Sequence, residues 1–487
     1  MTAIEKNGAA LHWIDGEWVD SPEHGTSVNP ATGIEIGTYA IGGAAETEHA
    51  IDIAERVFKT TSWRFDRPLR ARVLNAMAAR FEARADELAT LLSQENGKIL
   101  RDAQFEVGMA APVLRFNAAL ALTDTGRSSQ VQAGRLGLMV RDAAGVAGVI
   151  APWNAPVALA LRSIAPALAA GTTTVVSLPV QTAQTNALIA EIIATTPELP
   201  KGVVNIINGG FATGDTIVRS SRVPVISFTG STKTGKAIMS NASANLKRVG
   251  LELGGKAPMI IFDDADLDVA IPKVVAALTV FAGQFCMTGS RLLVQSGVAE
   301  KVREALASRL EEIKVGPGLD PASEMGPIID KKNVERIDGL VEDAIATGAE
   351  VIVRGGPITD GPLAAGSFYR PTLLAVTDPN LPIVQSEVFG PVLCMETFET
   401  EAEAVALANN SEYGLSASVF SRDIDLPLRV ALQLESGTVW INDWAALQDQ
   451  FEEGGYKASG QGRMRGFAVI DDFIEFKHIA FTPGLPS

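Results

Sequence analysis

The chain has 487 residues, enough for two or three domains with a cleft between them, and its 57 acidic against 41 basic side chains give a formal charge of −16. That charge argues against nonspecific nucleic-acid or membrane-surface binding, and 47% hydrophobic with 20% charged residues excludes global disorder. Two cysteines and four scattered histidines exclude a thiolate zinc site and a disulfide framework, so no metal is expected and a reducing, cytoplasmic setting is.

The N-terminal run MTAIEKNGAALHWIDGEW carries acids early and lacks the apolar core of a secretory signal. Residues 45–121 predict long amphipathic helices, over 45–63 and then over 68–98, from apolar positions three and four apart. Leu136–Val140 and Phe473–Phe481 are apolar strands remote from each other, a pattern that predicts pairing between subunits. Ala143–Leu161 is uncharged over 19 residues, but its Gly145, Gly148, Pro152, Asn154 and Pro156 predict a buried strand, loop and helix instead of a membrane span.

From 144 to 260, short apolar runs alternate with helical segments such as Thr185–Thr195. The runs are Val146–Ile150, Thr173–Val176, Val203–Ile207, Val225–Phe228 and Met259–Phe262, which predicts an α/β fold with a parallel sheet covered on both faces. A second α/β pattern spans 270–450, with helices over 299–313 and 332–347 and strands over 350–353, 391–395, 416–420 and 438–441. No fixed repeat interrupts it.

Four segments carry chemistry. Cys286 stands in GQFCMTGS between small residues, where a substrate can reach a thiol, whereas Cys394 lies in an apolar strand and is expected to be structural. His12, His24, His49 and His478 lie towards the termini in polar company, which disfavours a Cys–His pair. Glu252 in LELGGKAPMI has apolar neighbours that raise a carboxyl pKa and suit a general base. Asn154 in APWNAP, fixed between prolines, offers an amide donor to a developing oxyanion. In SFTGSTKTGKAIM, Gly230, Ser231 and Gly235 open a helix whose N-terminus suits an anion such as a pyrophosphate, although the segment is neither GxGxxG nor a triphosphate loop. Taken singly, each has a plain structural alternative: a buried thiol, a salt-bridged glutamate, a turn, a generic strand–helix junction.

In this order the segments resemble the NAD(P)-dependent aldehyde dehydrogenase superfamily over essentially the whole chain. The matching segments are APWN (151–154), FTGSTKTG (228–235), LELGGK (251–256), GQFC (283–286), EVFGPV (387–392) and GGYKASGQGR (454–463), with Glu252 and Cys286 separated by 286 − 252 = 34 positions. The resemblance implies an aldehyde dehydrogenase-like α/β fold with three parts. These are a Rossmann-like cofactor domain (1–124 and 144–254), a catalytic α/β domain (255–454) and a β oligomerisation element (125–143 and 455–487) in a homodimer or homotetramer. It implies oxidation of a small-molecule aldehyde to the acid, with NAD or NADP as cofactor and NAD slightly favoured. Cys286 would attack the carbonyl, Asn154 would hold the oxyanion, and Glu252 would activate water to hydrolyse the thioester. Glu387 would hold the nicotinamide ribose, Phe389 would pack beside the nicotinamide, Ser231 would meet the pyrophosphate, and Trp153, Gly230, Gly235 and Leu253 would complete the cofactor site.

Departures from the family pattern are equally informative. Counting from Asn154 without gaps, the lysine and glutamate that usually grip the adenosine ribose are Ser177 and Val180, which leaves the choice of cofactor open. A glutamate sometimes proposed as a second base is Met464, leaving Glu252. The aldehyde tunnel is altered to Ala155, Arg162 and Glu453, with Phe285, Met287, Trp444 and Leu447 as apolar lining, so it is expected to be wider and partly polar. The segment LRSIAPALAAG resembles relatives acting on aromatic or bulky aldehydes. Two rival readings are a CoA-acylating relative, against which Glu252 argues, and a non-catalytic binding protein of the same fold, against which the retained Cys286, Glu252, Asn154 and Glu387 argue.

Overall fold

Five apolar, β-rich runs form the middle of the first sheet in the computed structural model, which describes residues 9–483. In spatial order they are Arg248–Glu252, Val225–Thr229, Val146–Ile150, Thr173–Pro179 and Val204–Gly209, all parallel. Antiparallel strands extend both edges: His12–Ile14 and Glu17–Val19 on one side, Gly460–Gln461 on the other. The helices Ala44–Thr60 and Pro156–Ala170 pack on Thr173–Pro179, covering strands that are buried along nearly their whole length. Residues 1–8, part of the run on which the expectation of no secretory signal rests, lie outside the described residues.

The winding of this sheet fixes where a ligand goes. Val146–Ile150 pairs with Thr173–Pro179 on one side and Val225–Thr229 on the other, so the chain reverses direction around it. Such a switch point opens a crevice at the carboxyl ends of the strands. The APWN loop starts there, with the Ala151 N–H donating to the Ser177 carbonyl at 3.2 Å.

The second sheet has the order Glu350–Val353, Thr372–Ala375, Val392–Phe398, Gly289–Gln295, Ala257–Ile261, Ser416–Phe420, Thr438–Ile441. All of its pairings are parallel except the first. Its core, including Met259, Leu292, Leu306, Ile337 and Leu393, is separate from that of the first sheet.

Three features differ from the sequence expectations. The helix expected over 68–98 is two, Arg67–Ala83 and Ala85–Asn96, because Arg84 leaves helical geometry (φ −118°, ψ 19°) while its guanidinium reaches Glu87 and Glu191, each at 2.7 Å. The two remote apolar strands pair with each other inside one chain: Ile474–Phe481 runs antiparallel to Arg135–Ala143, beside Arg127–Gln132. Each satisfies the other's backbone groups, so their pairing needs no second subunit. The tail also divides, since residues 460–474 return to the first sheet and its core through Gly460–Gln461, Met464, Val469, Ile470 and Phe473. The run Leu100–Thr123 is long and apolar enough to cross a membrane by length and composition, but Ala103, Val107, Val113 and Leu114 within it are core residues.

Candidate active site

Three consecutive residues with left-handed backbone precede Cys286: Phe281 (φ 50°), Ala282 (φ 54°) and Gly283 (φ 73°). For non-glycine residues that conformation costs on the order of 1–3 kcal/mol each, so surrounding contacts must impose it. Gly283 is required because a Cβ there would enter the Gly390 backbone. Asp102 Oδ2 accepts the Phe281 N–H at 3.1 Å, and Lys98 Nζ lies 3.7 Å from the centroid of the Phe281 ring. Gln284 ties the turn down. Its side chain donates to Phe281 O at 3.0 Å and accepts from the Ile329 N–H at 2.9 Å, and its carbonyl accepts the Asn154 side-chain amide at 3.0 Å.

Asn154 is fixed from behind as well as by its flanking prolines. Lys98 Nζ, fully buried, donates to the Asn154 carbonyl at 2.7 Å and pairs with the equally buried Glu106. The other Glu106 oxygen accepts the Val157 N–H at 2.8 Å, at the first turn of the helix Pro156–Ala170. Asn96 donates to the Trp153 carbonyl at 2.8 Å.

Two cavities meet at Cys286 and Leu159. The first, about 650 Å³, is the expected tunnel, lined by all seven residues assigned to it: Ala155, Arg162, Phe285, Met287, Trp444, Leu447 and Glu453. Phe285 stacks edge-on with Phe281 at 5.6 Å and Trp444 at 6.1 Å, and Trp444 Nε1 donates to the Met287 carbonyl at 3.0 Å. Its charges are not free, contrary to the partly polar tunnel expected. Arg162 pairs with Glu453, whose second oxygen accepts from Arg465 at 2.9 Å, and Arg465 pairs onward with Asp449. Pairing cancels their charge, which leaves a largely apolar, aromatic lining.

The second cavity, about 870 Å³, opens at the switch point and is lined by Trp153, Gly230, Ser231, Leu253, Glu387 and Phe389. Ser231 caps the helix Thr232–Ala242, accepting the Thr234 N–H at 3.2 Å, so the positive helix end faces this space. Gly235 lies one turn into that helix, where a Cβ would come within 2.5 Å of Leu253. Trp153 and Phe389 meet edge-on at 5.6 Å, Phe389 in left-handed backbone (φ 54°). Glu387 accepts the Gly255 N–H at 3.2 Å, and burial pushes its carboxyl up to about 7. A helix N-terminus, an aromatic shelf and a hydrogen-bonding carboxylate at a switch point fit a nicotinamide dinucleotide.

A profile described as the aldehyde dehydrogenase family matches residues 18–479. The chain belongs to the aldehyde dehydrogenase family. It is 39% identical over 473 residues to betaine aldehyde dehydrogenase of Bacillus subtilis, covering 96% of each chain. It is 36% identical over 472 residues to succinate-semialdehyde dehydrogenase [NADP(+)] of Escherichia coli, again covering 96% of each. A crystal structure of betaine aldehyde dehydrogenase from Staphylococcus aureus in complex with NAD+ superimposes with a TM-score of 0.94 at 38% identity, over 98% of this chain and 96% of that one. The protein is an NAD(P)-dependent aldehyde dehydrogenase.

Within this dehydrogenase, Glu252 is 4% exposed and lines neither cavity. Its Oε1 is buried without a partner, close to where a Cβ on Gly454 would sit. Desolvation pushes it up to about 8, with Arg162 opposing, and pushes the Cys286 thiol up to about 12, again with Arg162 opposing. Ser177 and Val180 also lie outside both linings, Ser177 buried at the end of its strand and Val180 in the short helix that follows. His12 is fully buried instead of in polar company, and burial holds it down to about 4.

Sequence reasoning missed Lys98, Glu106, Asn96 and Gln284, which hold the two loops, and Asn333 and Arg336, which line the cofactor-side cavity. The run NGKIL carried the one available signal, a lysine among small and apolar residues at the end of a helix. Lys98→Met leaves the Glu106 carboxylate buried and unpaired, so about 3–5 kcal/mol of stability is expected to be lost. Lys98→Met/Glu106→Gln is expected to regain part of that stability while still acylating at least tenfold more slowly than the parent. Urea denaturation and burst kinetics read the two effects separately.

Proposed function

We propose that this enzyme oxidises aromatic or bulky aldehydes to carboxylic acids through an acyl-Cys286 thioester that water hydrolyses. The observation that carries the reading is the position of Cys286 at the junction of an apolar aromatic cavity and a cofactor-shaped one. Ala155 leaves room beside Leu159 and Phe281 for a ring, and the paired Arg162 and Glu453 bring no net charge to the wall. The aldehyde carbonyl would lie between Cys286 and the Asn154 amide, whose donor is held towards the same loop by Gln284. Donors of this type are worth roughly 3–4 kcal/mol to an oxyanion. When bound, the nicotinamide cofactor supplies the hydride acceptor. Trp153 and Phe389 would shelve its ring, Glu387 its ribose, and Ser231 with the following helix N-terminus its pyrophosphate.

Glu252 serves as the deacylation base in this reading, turning from its packing beside Gly454 towards the thioester. A hydrolytic base favours release of the acid over transfer to CoA. Residues 1–124 and 144–254 would bind the cofactor, 255–454 would carry the catalytic thiol, and 125–143 with the tail strand Ile474–Phe481 would form a homodimer or homotetramer interface. Exposed Val131, Phe476, Ile479 and Phe481 on the three-stranded sheet support that assignment. Both cysteines are free, in keeping with a reducing cytoplasm.

Cys286→Ala is expected to abolish oxidation of benzaldehyde, whereas Cys394→Ala, at a buried strand position, keeps it within a few-fold. A dead Cys394→Ala beside an active Cys286→Ala overturns the assignment of the nucleophile.

Glu252→Gln is expected to retain a burst of reduced cofactor and then stall, with acylated Cys286 visible by mass spectrometry. In the parent, hydrolysis of the acyl-enzyme should rise with pH through about 8 and level off above it, because the base works as the carboxylate. Burst and turnover falling together would place Glu252 before acylation.

Val180→Glu is expected to shift kcat/KM towards NAD by about tenfold or more, by offering the ribose 2′-hydroxyl an acceptor and a 2′-phosphate a like charge. An unchanged NAD to NADP ratio would remove Val180 from the cofactor site.

A further inference from the structure

Phe105, Val280, Trp444 and Ala445 line the aromatic cavity and also a third cavity of about 870 Å³. None of the four is buried, and Phe105 is 50% exposed, so the two spaces meet at an open rim and not at a sealed partition. The cofactor-side cavity shares no residue with the third, which makes the aromatic cavity the link between them.

Three charged side chains border the third cavity: Arg101, Asp102 and Glu324. Two of them are committed elsewhere. Glu324 pairs with Arg309 and accepts the Lys314 N–H at 3.1 Å. Asp102, its side chain only 13% exposed, gives Oδ2 to the Phe281 N–H at 3.1 Å. The Arg101 side chain is 78% exposed, and its one ion contact is Asp102 at 4.0 Å, with no hydrogen-bonded partner among the described residues. Arg101 lies in the first turn of the helix Leu100–Gly108, and Phe105, four positions on, shares its face of that helix. An aromatic rim and an uncommitted guanidinium therefore stand side by side at the outer end of the substrate space.

We propose that the third cavity takes the tail of the substrate and that Arg101 selects aromatic aldehydes whose tail ends in an anionic group such as a carboxylate. The proposal rests on the reading of the first cavity as an aromatic-aldehyde site. The ring would lie in that cavity with its aldehyde at Cys286, and a substituent on the far side of the ring would cross the rim at Phe105 and Trp444 to reach Arg101. A guanidinium presents paired N–H donors that match a carboxylate. Arg162 does not compete for the anion, because Glu453 and Thr229 hold its terminal nitrogens. Arg101 lines neither the aromatic nor the cofactor-side cavity, so it acts on which substrate is held and not on the chemistry. Because it borders solvent, its discrimination is a matter of a few-fold.

The test compares para-(carboxypropoxy)benzaldehyde with its primary amide, which has nearly the same size and no charge, and with its trimethylammonium counterpart. Steady-state kcat/KM is measured on the full chain with NAD. The parent is expected to prefer the carboxylate to the amide by about threefold or more, mainly through KM, and the amide to the trimethylammonium compound. Arg101→Gln should bring the carboxylate-to-amide ratio to about one, Arg101→Lys should keep part of the preference, and Arg101→Glu should reverse it. Each ratio is taken within one variant, so a general loss of activity cancels. For para-carboxybenzaldehyde and its amide, too short to cross the rim, the ratio should hardly respond to Arg101. A carboxylate-to-amide ratio that is the same in the parent, Arg101→Gln and Arg101→Glu overturns the proposal. So does an equal response from para-carboxybenzaldehyde, which would mean general attraction of anions to the surface, and so does a parent that oxidises benzaldehyde but none of the tailed aldehydes. Failure of the underlying reading has a different signature. A parent that oxidises propanal but no aromatic aldehyde removes the aromatic site itself, whereas oxidation of benzaldehyde with a ratio independent of Arg101 removes only the tail site.

Discussion

The buried pair of Lys98 and Glu106 is the constraint on which the rest of the site depends. Its ammonium group touches both loops that carry chemistry, at the Asn154 carbonyl and over the Phe281 ring, while its carboxylate receives the N–H of Val157 at the start of the next helix. Removing two charges from water costs several kcal/mol each, and replacing such a pair with apolar side chains is often neutral or stabilising. Stability alone therefore does not account for its presence. What it supplies is a fixed distance between the Asn154 loop and the turn that leads to Cys286, set by directional contacts that apolar packing would not impose.

That rigidity has an electrostatic consequence. The turn of Phe281, Ala282 and Gly283 places Cys286 where burial raises its pKa, and the same burial raises that of Glu252. Both groups rest protonated near neutrality, and Arg162 is the cation that opposes both shifts. Glu453 and Thr229 hold the guanidinium through its terminal nitrogens, leaving its Nε buried and unpartnered. A single side chain in the wall of the aromatic cavity thus couples that cavity to the ionisation of Cys286 and Glu252. This also explains why an arginine can stand in an otherwise apolar aldehyde tunnel without making it polar.

Most of the two sheets was legible because buried parallel strands are nearly continuous apolar runs and their spacing leaves room for one helix each. The break at Arg84 was not, since it depends on Glu191, more than a hundred positions away in sequence. The same holds for His12, whose burial follows from the edge strand His12–Ile14 pairing with Val204–Gly209. Cys286 and Asn154 were marked by local turn chemistry and motif order, and the tunnel residues by their positions in the family pattern. Lys98 stands in the loop before the helix that carries Glu106, eight positions on, and apart from its small and apolar neighbours in NGKIL nothing local marks the two as a buried pair. Ser177 and Val180 were placed by counting, which finds the strand end but not which wall of the crevice a side chain faces.

The position of Glu252 bears on the division of labour proposed for it. Its carboxylate packs beside Gly454, outside both cavities, while Cys286 belongs to both. On the proposed reading of Glu252 as the base, hydrolysis would begin only after its side chain turns towards Cys286, which would separate it from attack on the aldehyde. Gly454, in the GGYKASGQGR segment, leaves room for the carboxylate in this position, because a Cβ there would come within 3.0 Å of Oε1. The same segment returns the chain to the first sheet through Gly460–Gln461, which pairs with Leu251 and Glu252 themselves. The backbone of Glu252 is therefore paired on both sides, with Thr229 and with Gly460, so the proposed turn would fall to its side chain alone.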